Sequence, residues 1–521
     1  MHLSRKFKLD AILVRESFDI NVDALSRGRI PEKTGVILLC NRPIGALEEL
    51  LIQSILPEHL HDDMAFHSNP FLSIDDDTPN VTIIGSHEGL LEESERLRNR
   101  VNIFFPAGIL SKRRNHRRSR VDGRWNRRIV RQLLSLELPI IPVLIEGRVR
   151  TAGQVLSSFH SVHRTTQILV SSLQQERNKV NIRLGRSIQK EHLDSLSREG
   201  NVVRFLRSKL FSLGTAIHVE DYFNKVVGEK VSLANSARKD VLQKEREYLN
   251  KSAFVVNQGD YHLYLFYALD APNWIQEIGR LRELNNRLEG KENGQTRKLD
   301  EFDLHYEHLA LWDESEQRIV AACRIGDGKR VFATHGKSGL SFDEHFRINP
   351  SLDGQLKKSI DIGHFYLDAE IKKEYLPLSL LWSGLALVVM ERSHVKYVTA
   401  SLPLQRQTVN DSMQHWINSL KDLYCEEKYL TYLAPRTSSQ LSKSFGNRSV
   451  EVASQKKSTS SFIDLPAPSY LSKHLERKAK LLGLMEGNQK ANEIYGLFWM
   501  PVDDFPRQWF DEAARFVPKE D

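Results

Sequence analysis

The chain has 521 residues, with 74 Lys and Arg against 67 Asp and Glu, a net charge of +7, 40% apolar and 27% charged residues. That length exceeds one hydrophobic core and suits two domains with extensions, and the composition excludes a fibrous or low-complexity chain. No stretch reaches the roughly 18–20 unbroken apolar residues of a membrane-spanning helix; the longest apolar run, residues 376–390, is interrupted by Ser379, Trp382 and Ser383. The first eight residues are basic, but no apolar segment with a small-residue cleavage site follows, so no signal peptide is read. Cys40, Cys323 and Cys425 lie far apart without metal-ligand spacing and suit a reducing compartment.

Residues 36–40 (VILLC) follow a turn with Pro31 and Gly35 and predict a buried strand. Asn41-Arg42-Pro43-Ile44-Gly45 breaks it, and Leu47, Leu50, Leu51 and Ile55 have helical spacing over residues 47–56. Residues 81–85 read as a strand, 88–98 as a polar helix, 101–105 as a strand ending at Pro106-Ala107-Gly108, 127–135 as a helix and 138–145 as a strand. Strands alternating with helices predict an α/β domain with a mixed or parallel sheet. His59, His61 and His67 have nothing that ties them to the turn at residue 42, and they read as surface histidines.

Residues 185–250 are polar and helical, and a domain boundary is expected at 245/246. Beyond it come a strand at 261–267, an amphipathic helix at 274–287, a hairpin of 306–312 and 318–325, a strand at 359–366, a long helix at 376–393 and a strand at 395–401. That order predicts an α+β domain. Residues 436–462, rich in Ser and Lys without periodicity, read as a mobile loop or linker.

Residues 112–131 read KRRNHRRSRVDGRWNRRIVR, a dense positive block. A solvated basic loop, a nucleic acid, an anionic lipid surface and a phosphorylated substrate all fit such a block. No stacking-aromatic pattern or known module supports nucleic acid.

Acyl transfer to a hydroxyl needs a base and a group that orients it. The segment Asn41-Arg42-Pro43-Ile44-Gly45-Ala46-Leu47-Glu48, with Phe105-Pro106-Ala107-Gly108, Ser111, Val121-Asp122-x-x-Trp125 and residues 139–148, resembles the glycerophosphate-type acyltransferases, including their hemolysin-like branch. The resemblance implies a catalytic His where this chain has Arg42 and an Asp where it has Glu48, with Ile109 in place of a Glu. It places the polar head of the acceptor at Pro106, Gly108 and Arg42. Arginine stays protonated and cannot serve as a general base, so O-acyl transfer by this domain is weakened, and an ion pair of Arg42 with Glu48 is the alternative use of the site.

Residues 262–404 resemble the N-acyltransferase domain of ornithine-lipid synthases, GNAT-type proteins related to acyl-homoserine-lactone synthases. The matching segments are residues 277–283, Asp300-x-x-Asp303-x-x-Tyr306, 309–313, 318–325 and Leu380-Leu381-Trp382-x-Gly384. The resemblance implies Asp300, Asp303 and Asp361 as catalytic carboxylates, with Arg287, Arg324 and His364 holding substrate. His364 stands where the family carries arginine; Asp361 and His364 satisfying each other is the alternative. Residues 466–501 resemble the C-terminal extension of the bifunctional synthases.

The resemblance as a whole implies four parts: a glycerophosphate-acyltransferase-like α/β domain (1–245), a GNAT-like mixed-sheet domain (246–435), the loop (436–462) and an extension packed on the GNAT-like domain (463–521). It implies transfer of a fatty acyl group from acyl carrier protein or acyl-CoA to the amine of an amino acid in aminolipid synthesis, with a lyso-aminolipid as the second acceptor. No bound cofactor and no metal is implied. The setting is cytoplasmic, at the inner face of a membrane, with residues 112–131 meeting anionic lipid or an acidic carrier protein. A non-catalytic descendant that binds lipid or carrier protein is the alternative.

Overall fold

The computed structural model describes residues 18–43, 47–67, 96–107, 112–113, 120–147, 178–194, 196, 199–215, 232–289, 295–343, 345–368, 371, 375–404, 413–425, 432–436, 467–486 and 494–516. The expected strand at 81–85, most of the helix at 88–98, and nearly all of the loop at 436–462 lie outside these. The chain divides into two compact units, Met1–Val219 and Glu220–Asp521. The division falls ahead of the expected 245/246, because the helix Lys239–Ser252 lies in the second unit, where Glu245 accepts from the backbone of Asn273 and Trp274.

The first unit is built on a six-stranded mixed sheet. Its strands are β1 (Phe18–Val22), β2 (Val36–Cys40), β3 (Met64–His67), β4 (Val101–Phe104), β5 (Ile140–Gly147) and β6 (Asn178–Leu184), in the order β1-β6-β5-β2-β4-β3. Every pairing is parallel except β5 with β6. All five residues of β2 are buried, as a central strand covered on both faces requires. Helix α1 (Leu47–Ile55) packs Leu50, Leu51 and Ile52 into the same core as Leu38, Ile103 and Val143. Helix α2 (Arg127–Ser135) is capped by Asn126, which accepts from Arg128 N, and buries Ile129, Val130 and Leu133. Arg124, Arg127, Arg128 and Arg131 remain exposed.

The second unit carries an eight-stranded sheet. Its strands are β7 (Phe254–Gln258), β8 (Tyr261–Tyr267), β9 (Glu307–Asp313), β10 (Arg318–Asp327), β11 (Ser359–Leu367), β12 (Tyr397–Leu404), β13 (Lys480–Glu486) and β14 (Ile494–Pro501), in the order β13-β14-β12-β11-β10-β9-β8-β7. Only β11 and β12 are parallel. They pair from Ser359↔Tyr397 to Ile362↔Ala400 and then part: β12 continues along β14, and β11 along β10.

Helix α3 (Pro272–Leu288) covers one face of this sheet, where Trp274 stacks on Trp312 with ring centroids 5.2 Å apart. Helix α4 (Tyr375–Met390) covers the other, packing Trp382, Leu385 and Ala386 against Leu309, Leu311, Cys323, Ile325, Ile360 and Ile362. The tail does more than pack on this unit: β13 and β14 are strands of its sheet, and Trp509 Nε1 donates to Trp382 O at 2.8 Å. Among the described residues, no helix is long and apolar enough to cross a membrane. The mixed α/β and α+β architecture expected from the sequence is present.

Candidate active sites

The loop after β2 is pinned from its first residue. Asn41 accepts from Ile145 N at 2.7 Å and donates to Ile145 O at 2.9 Å, continuing the ladder to β5 through a side chain. Arg42 is fully buried; its N–H donates to Asp122 Oδ1 at 3.3 Å, and its guanidinium lies 4.9 Å from the Phe105 ring centroid. Asp122 also accepts from Trp125 Nε1 at 3.2 Å, and Arg207 donates to the carbonyls of Asp122 and Gly123 at 2.8 and 2.9 Å.

The expectation pairs Arg42 with Glu48. The 3.3 Å ion pair runs instead to Glu49, one position on, and Glu48 is buried as well. Burial raises the Glu49 carboxyl pKa above its usual value, against the pull of Arg42. Pro106 is buried in the turn after β4, and its carbonyl accepts from Asn126 N at 2.7 Å. Gly108 lies outside the described residues.

The three histidines read as surface residues divide. His59 is exposed and His61 half-buried, but His67 is sealed at the end of β3. It stacks on Phe104 with centroids 4.0 Å apart, and its Nε2 lies 3.0 Å from Asn102 Oδ1. Burial pushes its pKa down to about 4.

In the second unit a cluster of charges sits under α3. Asp300 caps a short 3₁₀ turn, Glu301–Leu304, accepting from Phe302 N and Asp303 N, while Asp303 accepts from Asp300 N. This reciprocal capping fixes both carboxylates. Arg324 of β10 reaches Asp300 Oδ1 at 2.5 Å and Asp303 Oδ1 at 3.3 Å; Arg282 of α3 donates to Asp303 Oδ1 at 2.9 Å. The Arg324 guanidinium packs on the rings of Phe302 and Tyr306, 5.6 and 5.3 Å from their centroids. His308 Nε2 lies 2.9 Å from Asp303 O.

These contacts set the protonation states. Burial alone would raise Asp303, but Arg324 and Arg282 outweigh it and hold that carboxyl well below the usual range. At Asp300 burial outweighs Arg324, and the pKa rises. Burial lowers His308 to about 4 and, with Arg324 and Arg282 adding to it, holds His364 well below its ordinary value.

Asp361 belongs to a neighbouring network. It accepts from Tyr306 Oη at 2.9 Å, Ser341 Oγ at 2.6 Å and Thr399 Oγ1 at 3.1 Å. His364 does not pair with it: His364 Nε2 lies 3.6 Å from Asp300 Oδ2. The alternative in which Asp361 and His364 satisfy each other therefore fails. A bulge sets where His364 points. Arg324 faces Gly363 while Ala322 faces Tyr366, so β11 carries extra chain opposite Cys323, and His364 takes a φ of +50°. Before the bulge Asp361 faces the charged cluster; after it His364 does, and Phe365 turns to stack on Trp382 of α4, centroids 5.6 Å apart. One extra residue has exchanged the two faces of the strand.

Comparison with known proteins places this unit. Residues 281–383 match the family described as the acetyltransferase (GNAT) domain. The C-terminal unit carries a GNAT domain. A glycine N(alpha)-acyltransferase of Phocaeicola vulgatus is 26% identical over 211 residues, 38% of this chain and 64% of that protein. One of Bacteroides thetaiotaomicron is 27% identical over 154 residues, 27% of this chain and 46% of that protein. The chain thus spans less than two thirds of either relative.

Within the GNAT domain, Asp300, Asp303, Arg324 and His364 come together as one cluster, and Asp361 lies beside it. Arg287 does not join them: its Nε donates to Glu283 at 3.1 Å and its Nη2 to Gln295 O at 2.8 Å. The helix arginine of the cluster is Arg282, five residues earlier and about 140° away around α3. Sequence reading also passed over Tyr306, His308, Ser341 and Thr399 as partners. Arg282 carried a signal, since its place in a buried helical stripe beside Ile275, Ile278 and Leu281 marks it as a charge needing a partner.

Proposed function

We propose that the GNAT domain transfers a fatty acyl group from a thioester, on acyl carrier protein or coenzyme A, to the α-amine of a small amino acid such as glycine. The observation that carries this reading is the charged cluster beside the parting of β11 and β12. Past Ile362 the backbone of β11 has no pairing with β12, and this parting of two parallel strands is suited to an extended amide-bearing arm. Asp300, at 12% exposure, and His364, at 28%, are the cluster members nearest solvent and supply polar contacts to an amine. The names of the two relatives support glycine as the first acceptor to try. The product would be an acylated amino acid of the aminolipid type, and an ornithine-lipid-like second acylation would fall to the first unit.

For that unit a second reading is favoured by one observation. Arg42, in the place of a base, is fully buried and paired with Glu49. We read the first unit as a glycerophosphate-acyltransferase-like fold that binds lipid or carrier protein without O-acyl transfer at this turn. The exposed Arg124, Arg127, Arg128 and Arg131 are suited to an anionic bilayer surface or an acidic carrier.

Lipid mass spectrometry of a bacterium lacking aminolipids, with and without this chain, tests both readings. A new lipid with one amide-linked chain is expected. A lipid with two chains would overturn the reading of the first unit, and no acylated amino acid from well-expressed protein would overturn that of the GNAT domain.

A further inference from the structure

The acyl-transfer reading needs a group that takes the proton of the attacking amine, and the carboxylates of the site are committed elsewhere. Asp303 is held by Arg282 and Arg324 and is fully buried. Asp300 Oδ1 is bonded to Arg324 and to two backbone N–H groups. Asp361 accepts from three hydroxyls and is 3% exposed. His308 is sealed.

His364 differs on each count. It lies two residues past the last β11–β12 pair, at the mouth of the parting strands, and is the most exposed member of the cluster. Its backbone is held at φ +50°, a conformation that favours glycine. A β-bulge that turns one side chain against the alternation of its strand, at a strained position, is a recurrent device of functional sites. Asp300 Oδ2 lies 3.6 Å from Nε2, whereas Nδ1 is buried and has no hydrogen-bond partner among the described residues. A neutral imidazole can accept a proton at Nε2 while the carboxylate beside it balances the charge that forms.

We propose that His364 is the general base of this GNAT domain, taking the proton of the acceptor amine at Nε2, beside Asp300, as it attacks the thioester. This rests on the acyl-transfer reading above. In the step the amine nitrogen bonds to the carbonyl carbon, its proton passes to His364, the C–S bond breaks, and the departing thiolate recovers the proton from His364 as thiol. The charged groups acting on the ring are Arg324 of β10, Arg282 of α3, Asp303 of the capped turn and Lys298, with Asp300 3.6 Å from Nε2. Burial, with Arg324 and Arg282 adding to it, keeps the imidazole neutral at pH 7, the form that accepts a proton.

The test uses the full chain, an acyl-CoA and glycine, reading thiol release and N-acyl product. His364→Gly suits the left-handed backbone, so it is expected to fold. It should lower kcat by about 10²–10⁴-fold, move the KM for glycine by less than about threefold, and regain activity with added imidazole, which fits the vacated space. His364→Gln should lose kcat without rescue. An active wild type whose His364→Gly variant keeps kcat, or loses it without imidazole rescue at unchanged Tm, overturns the base assignment alone. A wild type that acylates no amine removes the acyl-transfer reading itself, and the base with it.

Discussion

Arg282 donates to Asp303 Oδ1 at 2.9 Å, and neither side chain is more than 2% exposed. A pair so placed gains little over an apolar one, but removing one partner strands a buried charge and costs about 3–5 kcal/mol. Arg324 still lies 3.3 Å from Asp303, so the lower end applies. Arg282→Met is expected to lose about 3 kcal/mol in urea unfolding of the second unit. The double variant Arg282→Met, Asp303→Asn should recover part of it, since the stranded charge is gone. A single variant as stable as wild type would mean that water reaches Asp303.

His308 and His67 make stability fall with acid in both units. Each is neutral and buried, with a folded pKa of about 4 against an ordinary 6.5. The unfolded chain therefore binds protons between those values while the folded one does not. Stability is intact above pH 6.5 and falls as pH drops toward about 4, by at most about 3 kcal/mol for each histidine. Urea midpoints at pH 7, 6 and 5 check this. His67→Gln should flatten the slope of the first unit and His308→Gln that of the second; parallel slopes in wild type and variants would reject the assignment.

Much of the fold was legible because several of its strands are runs rich in apolar residues. Residues 36–40 and 261–267 need no partner to be read as strands, and Pro272 and Asn126 mark where helices begin. What stayed hidden depends on spatial phase. A helix of 17 residues offers Arg280, Arg282 and Arg287, and only the packed face decides that 282 meets Asp303. On an unbroken β11, Asp361 and His364, three residues apart, would lie on opposite faces; the bulge at Gly363 and His364 brings His364 round to the face of Asp361, but beside Asp300. Glu49 in place of Glu48 is the same kind of error, a single step at the start of α1. The edge strand β1 and the short β3 gave too few residues to show a period.

Gly326 and Tyr306 offer a test of how tightly the Asp361 network is built. A Cβ at position 326 would lie 2.4 Å from two carbons of the Tyr306 ring, whose hydroxyl donates to Asp361 at 2.9 Å. The ring is fixed at both ends, by that bond and by Arg324 over its face. Gly326→Ala should therefore cost about 1–3 kcal/mol, read as a lowered Tm. Adding Tyr306→Leu, which leaves room, should make the alanine nearly neutral. Equal costs in both backgrounds would show that the ring moves freely.

Arg42 decides what the first unit can do. On the proposed glycerophosphate-acyltransferase-like reading of the first unit, Arg42→His supplies the histidine that reading expects, yet it is expected to form no ester. The imidazole is too short to keep the 3.3 Å contact with Glu49, so it leaves that carboxylate buried and unpaired from it, and Glu48 is one methylene longer than the usual aspartate. The substitution should lower the Tm of the unit, whereas Arg42→Met with Glu49→Leu should restore most of the loss, as a buried ion pair exchanged for apolar side chains commonly does. The assay is formation of a two-chain lipid from N-acyl amino acid and acyl-CoA. Ester formation by Arg42→His alone would show that the turn keeps its catalytic geometry and that arginine is the sole block.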